Sequence, residues 1–191
     1  DLITEAIEQA RKIATDLHLE IQYDVLDVTE IPRIGPHFDL IVDSYCLQSI
    51  VLDEDREAVL SAVKSRLAPT GYYLVSTAMY VEHRHRPQEK VVDGDTGRSF
   101  DRYDEDCIFE PQSGLHYEPY RRRDGVDDTP TSCEEAILVN GQPYVQLRRY
   151  LDGRGLKNEV ESYGFEVIYQ SGDETENLVA VHRTSGVTLK A

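Results

Sequence analysis

The chain has 191 residues, which is enough for one domain with a substantial core or for a domain with a lid. Its 36 acidic residues outnumber 20 basic ones, and the net charge of −16 repels phosphate backbones and anionic membranes, so nucleic acid is excluded as a partner. No apolar run approaches the ~20 residues of a membrane span, and the first residues do not resemble a signal peptide. We therefore expect a cytoplasmic protein with no membrane partner. The separated residues Cys46, Cys107 and Cys133 suit a reducing compartment.

A helix and a strand are predicted first. In residues 4–17 apolar side chains recur at helical spacing, and Thr4 is a suitable N-cap. The β-rich run EIQYDVLDV (20–28) predicts a strand that ends at Asp27. A loop with two prolines and a glycine then leads to the next strand.

The stretch from Phe38 to Met79 has the pattern strand, helix, strand. Two apolar runs, at 38–45 and 71–80, flank a helix whose predicted N-cap is Asp53. Such strands belong to a parallel sheet covered by helices, which places ligands at the carboxyl ends of its strands. The polar residues at those ends are Asp43, Ser44, Tyr45, Ser76 and Thr77. They are candidates for a site, and the alternative is that polar residues simply terminate strands.

From Val81 to about Pro130 the sequence is rich in charge and has little apolar periodicity. A loop of that length in a compact domain is usually a lid or a disordered excursion. We interpret residues 81–150 as a partly ordered substrate cap, because several large side chains give it something to bury. These are Tyr103, Phe109, Leu115, Tyr117 and Tyr120.

Regular structure resumes near residue 135. Asn140–Gly141 between two β-rich runs predicts a hairpin. Residues 156–164 predict a short helix closed by Gly164. The runs 165–170 and 178–184 predict two strands that pair antiparallel.

Five segments together resemble the class I S-adenosylmethionine-dependent methyltransferases, through their order and spacing. They are DLITEAIEQARK (1–12), VLDV (25–28), FDLIVDSYCLQSI (38–50), LAPTGYYLVST (67–77) and VESYGFEVIY (160–169). The resemblance covers nearly the whole chain apart from residues 81–130. It implies an α/β fold, with a Rossmann-like parallel sheet and a C-terminal antiparallel hairpin, in a single domain spanning 1–191 with residues 81–150 as the cap insertion. It also implies S-adenosylmethionine as cofactor and a small-molecule acceptor.

The resemblance further implies cofactor-binding residues. Asp1 matches the acidic residue that holds the ribose hydroxyls, and Asp27 matches the one whose carboxylate meets the adenine amino group, with backbone contacts from Val28. The positions near the methionine portion are matched by Asp43 and Ser44, with Tyr45 beside them. Carboxylates can accept hydrogen bonds from hydroxyls and from an exocyclic amine. The alternatives are that Asp1 is merely a terminal residue and that Asp27 is a turn former.

Two features depart from the family's pattern. The glycine-rich loop that follows the family's first strand is absent, and Gln48–Ser49 stands where many relatives carry a histidine pair. Because the chain begins with Asp1 and not with Met, we expect an N-terminally truncated fold, with roughly 50 upstream residues in a βαβ opening. The alternative is a sheet that closes differently.

Methyl transfer from a sulfonium is an in-line displacement, so most of the rate can come from alignment and the exclusion of water. A base is needed when the acceptor arrives protonated. The candidates are Tyr80, His83 and His85, which follow the second strand of the central unit. The alternative for this stretch is a solvated charged loop. No metal is expected, because these histidines have no cysteine or carboxylate at a recognisable ligand spacing.

The sequence therefore predicts S-adenosylmethionine-dependent methyl transfer to a small molecule. The alternative is a catalytically inactive domain of the same fold that serves as a partner-binding or regulatory subunit, suggested by the absent glycine loop and by Gln48–Ser49. A nucleotide-sugar or nicotinamide enzyme is a third hypothesis. A sheet edge exposed by missing strands could also drive formation of a homodimer.

Overall fold

Two β-sheets and three α-helices make up the part of the chain described by the computed structural model, which comprises residues 2–81, 87–103, 106–120, 136–172 and 175–183. The helices are α1 (Thr4–Asp16), α2 (Asp53–Arg66) and α3 (Gly153–Ser162). The strands are β1 (Phe38–Ser44), β2 (Leu67–Ala78), β3 (Glu89–Val92), β4 (Ser99–Arg102), β5 (Ile108–Glu110), β6 (Leu115–Pro119), β7 (Ala136–Val139), β8 (Gln142–Arg149), β9 (Phe165–Ser171) and β10 (Thr175–His182). None of the helices in these ranges is both long and apolar enough to cross a membrane.

The first sheet, called the central sheet below, has the strand order β1-β2-β10-β9. β1 and β2 are parallel and are connected through α2, whereas β10 is antiparallel to both β2 and β9. The predicted strand–helix–strand unit and the C-terminal antiparallel hairpin are confirmed. The prediction of a parallel sheet is correct only for the β1–β2 pair, and the described sheet is mixed.

α2 forms because Val59, Leu60 and Val63 fall on one face of the helix, and this face is buried. Three acidic residues in its first turn interact favourably with the helix dipole. The predicted N-cap, Asp53, is wrong, since the cap position lies one residue earlier and makes no side-chain hydrogen bond. The Asp53 carboxylate pairs instead with Arg149 of β8, which connects α2 to the second sheet.

α2 and α3 cover one face of the central sheet and form the main core. Tyr73 and Val75 of β2 are fully buried against Leu60 of α2, Val160 of α3 and Phe165 of β9. Each large apolar side chain buried in this way contributes about 1.5–3 kcal/mol. This layer therefore anchors both strands whose ends were predicted to carry the site.

The opposite face of the central sheet exposes apolar side chains. Leu40 and Val42 of β1 are 58% and 55% exposed, Tyr72 of β2 is 49% exposed, and Tyr169 of β9 is 56% exposed. The strand register places all four on the same face, and we call these four residues the open face. β1 is also an edge strand of the described sheet.

The helix predicted over residues 4–17 is confirmed as α1, although the cap position is Ile3 and not Thr4. The strand predicted over residues 20–28 is wrong. Residues 19–27 have no regular structure, because no strand in the described ranges pairs with them, and a strand needs a neighbour for its backbone groups. They lead into the 3₁₀ turn Val28–Glu30.

The second sheet, called the curled sheet below, is antiparallel with the order β3-β4-β5-β6-β8-β7. Its two edges approach each other. The Asn140 side chain donates to the carbonyl of Val92 at 3.1 Å and accepts from the N–H of Gly94 at 3.1 Å. The Asn140 N–H in turn donates to Oδ1 of Asp93 at 3.1 Å. The interior is filled by Val91, Phe100, Ile108, Tyr117, Val139 and Tyr144.

The described part of the segment 81–150 is thus more regular than the sequence predicted, since it contains six strands. The prediction that its aromatic residues are buried is confirmed for Phe109 and Tyr117, which are 2% and 1% exposed. The predicted hairpin at Asn140–Gly141 is also confirmed. Its two turn residues have φ values of +49° and +79°, as a two-residue turn between twisted strands requires.

Candidate functional site

Polar side chains gather where β1 and β2 end. Ser44 of β1 lies beside Ser76 of β2, and the Ser76 hydroxyl donates to Oδ1 of Asn177 on β10 at 2.7 Å. The Tyr45 hydroxyl lies 3.0 Å from Oγ1 of Thr175. We call these five residues the strand-end cluster. Its hydroxyl and amide groups lie at the sheet edge where α/β folds bind ligands.

The backbone turns sharply at Tyr45, immediately after β1. Its φ of +61° lies in the left-handed region, which costs a residue with a side chain about 1–2 kcal/mol. The Tyr45 N–H donates to the carbonyl of Ser76 at 2.7 Å, which holds the turn against β2. The ring is 46% exposed and lies at the rim of the strand-end cluster. Strained conformations of this kind cluster at ligand sites.

Asp43 lies on the helix-covered side of β1 and is only 9% exposed. Its Oδ1 accepts hydrogen bonds from the N–H groups of Cys46 at 3.0 Å and Leu47 at 3.3 Å. Burial raises the pKa of Asp43, although these two N–H groups and the charge of Arg56 act in the opposite direction. The Asp43 carboxylate therefore shapes the loop that presents Ser44 and Tyr45.

A buried arginine that the sequence analysis missed fastens this loop to α3. Arg56 is 2% exposed, and its Nη1 donates to the carbonyls of Leu47 at 2.6 Å and Ile50 at 2.8 Å. Its Nε and Nη2 donate to the two carboxylate oxygens of Glu159 at 2.6 and 2.5 Å. A bidentate pair of this kind compensates the buried charge. The helical spacing in the sequence could have indicated that Arg56 is buried, because it precedes two core residues of α2 by three and four positions.

The pair Gln48–Ser49, where the sequence departs from the family's pattern, joins the loop to both sheets. The Gln48 side chain accepts from the N–H of Ala78 at 2.7 Å, at the end of β2. The Ser49 hydroxyl accepts a hydrogen bond from Arg148 of β8. Both residues therefore help to position the loop after β1.

Asp27 caps the 3₁₀ turn that follows it and does not end a strand. Its Oδ1 accepts from the N–H and the hydroxyl of Thr29 at 2.9 and 2.8 Å, and these bonds lower the pKa of Asp27. Val28 packs against the main core.

Burial raises the pKa of the Cys46 thiol, and the charges of Asp43 and Asp27 raise it further. The carboxylates of Asp43 and Asp27 therefore both act on Cys46, two residues after the end of β1.

A cleft of about 320 Å³ lies beyond the end of β2, between the two sheets. Its lining includes the rings of Tyr80, Phe109 and Tyr150, with Asp152 at the α3 side. The rings of Tyr80 and Phe109 stack, with centroids 5.0 Å apart and 15° between their planes. The Tyr80 N–H donates to the carbonyl of Leu151 at 3.0 Å. Tyr80, a predicted catalytic residue, thus forms part of an aromatic wall.

The other predicted site residues, Asp1, His83 and His85, lie outside the described residues. His116, a third histidine of the cap, is 8% exposed on β6, and its ring centroid lies 5.2 Å from that of Tyr103. Across the described ranges, no group of three or more His, Cys, Asp or Glu side chains is arranged to hold a metal ion.

The chemistry of the strand-end cluster and its surroundings fits S-adenosylmethionine. Oδ1 of Asp27 serves the turn, and its second carboxylate oxygen can accept from an exocyclic amine. The strand-end cluster offers donors and acceptors of the kind that an amino-acid portion requires. The sulfonium is a cation. The carboxylates of Asp43 and Asp27, together with the net charge of −16, favour positive charge near the carboxyl ends of β1 and β2.

No family model matches the chain, and no curated protein matches its sequence. Solved structures match it well. The chain aligns over 96% of its length, with a TM-score of 0.60 and 12% identity, to 74% of an S-adenosylmethionine-dependent methyltransferase from Clostridium acetobutylicum. The chain has the fold of the class I S-adenosylmethionine-dependent methyltransferases.

Two further methyltransferases illustrate the same fold. The glycopeptide N-methyltransferase MtfA in complex with S-adenosylmethionine matches over 95% of this chain and 70% of its own, at 16% identity and a TM-score of 0.52. The Burkholderia thailandensis 1,6-didemethyltoxoflavin-N1-methyltransferase, with bound 1,6-didemethyltoxoflavin and S-adenosylhomocysteine, matches over 92% of this chain and 57% of its own, at 11% identity and a TM-score of 0.52. At these identities the methyltransferase likeness is one of fold.

Proposed function

We propose that this chain binds S-adenosylmethionine at the carboxyl ends of β1 and β2 and transfers its methyl group to a small-molecule acceptor. The match in fold to S-adenosylmethionine-dependent methyltransferases over 96% of the chain carries this proposal. The strand-end cluster supports it, because the cluster lies at the edge where this class of sheet binds ligands.

In this proposal Asp27 accepts from the adenine amino group, and Val28 contributes backbone contacts. Ser44 and Tyr45 contact the methionine portion, while Asp43 holds their loop in place through its backbone hydrogen bonds. Asp1 would hold the ribose. The cofactor, when bound, supplies an electrophilic methyl group on a sulfonium.

The acceptor side is assigned to the cleft that contains Tyr80. Tyr80 lies two residues beyond the last residue of β2, which is roughly 7 Å along the chain. Ser76 of the strand-end cluster lies four residues before Tyr80, roughly 13 Å along the chain, and the proposal places donor and acceptor across this span. The curled sheet covers the cleft as a cap, and the cap excludes water from the transfer. His83 and His85 remain candidates for a base beside Tyr80.

The cytoplasmic setting belongs to the same proposal. Cys46 is a free thiol, which suits a reducing compartment.

The proposal is tested by calorimetric titration of S-adenosylhomocysteine into the full-length gene product. We expect saturable binding at one site, and S-adenosylmethionine should compete for it. The absence of any binding would refute the proposed function.

Asp27→Asn provides a matched variant for the adenine contact. Asparagine caps a turn about as well as aspartate, so the melting temperature should change little. The second carboxylate oxygen is lost, and with it one charge-assisted hydrogen bond of about 1.5–3 kcal/mol, or roughly tenfold to a hundredfold in affinity. Unchanged affinity would show that Asp27 is a turn residue only.

A second candidate function is a catalytically inactive domain of this fold that binds a partner. The observation that favours it is the open face, whose four apolar side chains are each about half exposed or more. We take the partner to be a second copy of the chain that covers the open face, including the apolar side chains of β1, an edge strand of the described sheet. Titration separates the two functions where the inactive domain has also lost its cofactor site, because such a domain does not bind S-adenosylhomocysteine.

A further inference from the structure

The aromatic cleft beyond β2 combines features that suit a cationic ligand. We propose that its acceptor is a small amine that binds in its protonated form, held by the rings of Tyr80, Phe109 and Tyr150 and by the Asp152 carboxylate. The proposal rests on the proposed function for the transfer step and names the substrate class of that site. A volume of about 320 Å³ lies at the small end of ligand pockets.

The aromatic lining of the cleft favours a cation. Three rings border one small cleft, and a cation within about 6 Å of an aromatic centroid is attracted by the negative face of the ring. Tyr80 and Phe109 stack on each other at 5.0 Å, and Tyr150 stacks on His116 with centroids 5.9 Å apart. These contacts fix the rings in place, so a ligand pays little to order them.

The walls are also held by the backbone. Gly114, in the turn between β5 and β6, has a φ of +74° and accepts a hydrogen bond from the Tyr150 N–H at 2.7 Å. A Cβ at Gly114 would lie 2.5 Å from the Tyr150 carbonyl oxygen, so only glycine permits this close approach. The turn and the backbone of Tyr150 are therefore held together at one side of the cleft.

Carboxylates on the α3 side of the cleft also favour a cation. Asp152 lines it and caps α3, because its Oδ1 accepts from the N–H of Gly155 at 2.6 Å. A helix N-terminus carries about half a positive charge, which is less than the full negative charge of the carboxylate. The Glu176 carboxylate also approaches this turn, with Oε1 3.5 Å from the Cβ position of Gly153. These two carboxylates place negative charge on the α3 side of the cleft, and the net charge of −16 draws cations towards the protein.

The bound ammonium first gives its proton to the Asp152 carboxylate, which later releases it to solvent. The neutral nitrogen then donates its lone pair to the methyl carbon, and the carbon–sulfur bond breaks with its electron pair remaining on sulfur. The products are the N-methylated amine and a thioether.

Choline and its uncharged carbon isostere 3,3-dimethylbutan-1-ol test the charge preference directly, because the two probes share their shape. We expect choline to bind the full-length gene product at least fivefold more tightly in ligand-observed magnetic resonance titrations. Tyr80→Leu should reduce the affinity for choline by about fivefold to tenfold, whereas Tyr80→Phe, which keeps the ring, should retain it.

Asp152→Asn separates charge from structure. Asparagine keeps the cap of α3, so the melting temperature should hold while the preference for choline over its isostere falls at least threefold. Equal binding of the two probes, or an unchanged preference in both Asp152→Asn and Tyr80→Leu, would overturn the proposal. S-adenosylhomocysteine titrated into the parent protein keeps the tests distinct. Equal binding of the two probes by the parent with intact binding of S-adenosylhomocysteine refutes the amine site alone, and choline selectivity without binding of S-adenosylhomocysteine refutes the proposed function alone.

Discussion

Replacing Arg56 with methionine should destabilise the fold strongly, because it removes four hydrogen bonds at once. Breaking a buried ion pair by removing one partner costs about 3–5 kcal/mol, since the other charge stays behind without compensation. The Arg56 and Glu159 side chains are 3% and 16% exposed, so water recovers part of the Glu159 charge. We therefore expect the lower part of that range, about 3–4 kcal/mol.

Urea unfolding at neutral pH measures this loss, and a double-mutant cycle with Glu159→Met isolates the pair. The double variant should be clearly more stable than the sum of the two single losses predicts, because it leaves no charge unpaired. Arg154→Met, at an exposed position of α3, is the matched control and should stay within about 0.5 kcal/mol of the parent.

The same variants show whether Arg56 positions the loop after β1. Arg56→Met should weaken S-adenosylhomocysteine binding at a temperature where the protein remains folded, since the carbonyls of Leu47 and Ile50 lose their donor. A loss of stability below about 1 kcal/mol, or strictly additive effects in the cycle, would refute this account of Arg56.

Three more outcomes follow from the same contacts. Burial raises the pKa of Asp43 above its ordinary 3.8, so the stability that this group contributes is present below pH 3.8 and is lost as the pH rises through the pKa of the folded state. Unfolding between pH 4 and 7 should therefore show that the stability of the parent relative to Asp43→Asn falls as the pH rises, and a relative stability that rises would contradict this direction. Gly141→Ala should cost about 1–2 kcal/mol because φ is +79°, and thermal unfolding should show Gly94→Ala, a glycine without positive φ, nearly unchanged. Light scattering should find a dimer that Val42→Lys on the open face converts to a monomer, and a monomeric parent would exclude pairing through this face.

Elements that depend on nearby residues were predicted from the sequence. The strand–helix–strand unit and the Asn140–Gly141 hairpin are set by apolar spacing and by turn chemistry within a few residues. The strand predicted over 20–28 was wrong because β-rich composition does not supply a pairing partner. The strands β3 to β6 were not predicted, since they are three to five residues long and leave almost no periodicity to detect.

The candidate site was only partly accessible to the same reasoning. Strand-end residues such as Ser44 and Tyr45 follow from the rule that sheets of this class bind ligands at their carboxyl ends. The Arg56–Glu159 pair spans 103 positions, and no local pattern connects its members. The stacking of Tyr80 on Phe109 likewise depends on how the curled sheet meets the central sheet.

Hydrogen exchange of the full-length gene product with and without S-adenosylhomocysteine tests the location of the cofactor most directly. The account predicts slower exchange in residues 43–49, where the N–H groups of Cys46 and Leu47 bond to Asp43 and that of Tyr45 bonds to the carbonyl of Ser76. The turn capped by Asp27 should also exchange more slowly. The β3–β4 hairpin of the curled sheet should be unaffected. Slower exchange that is absent from residues 43–49 and confined to the curled sheet would contradict the central claim that the cofactor binds at the ends of β1 and β2.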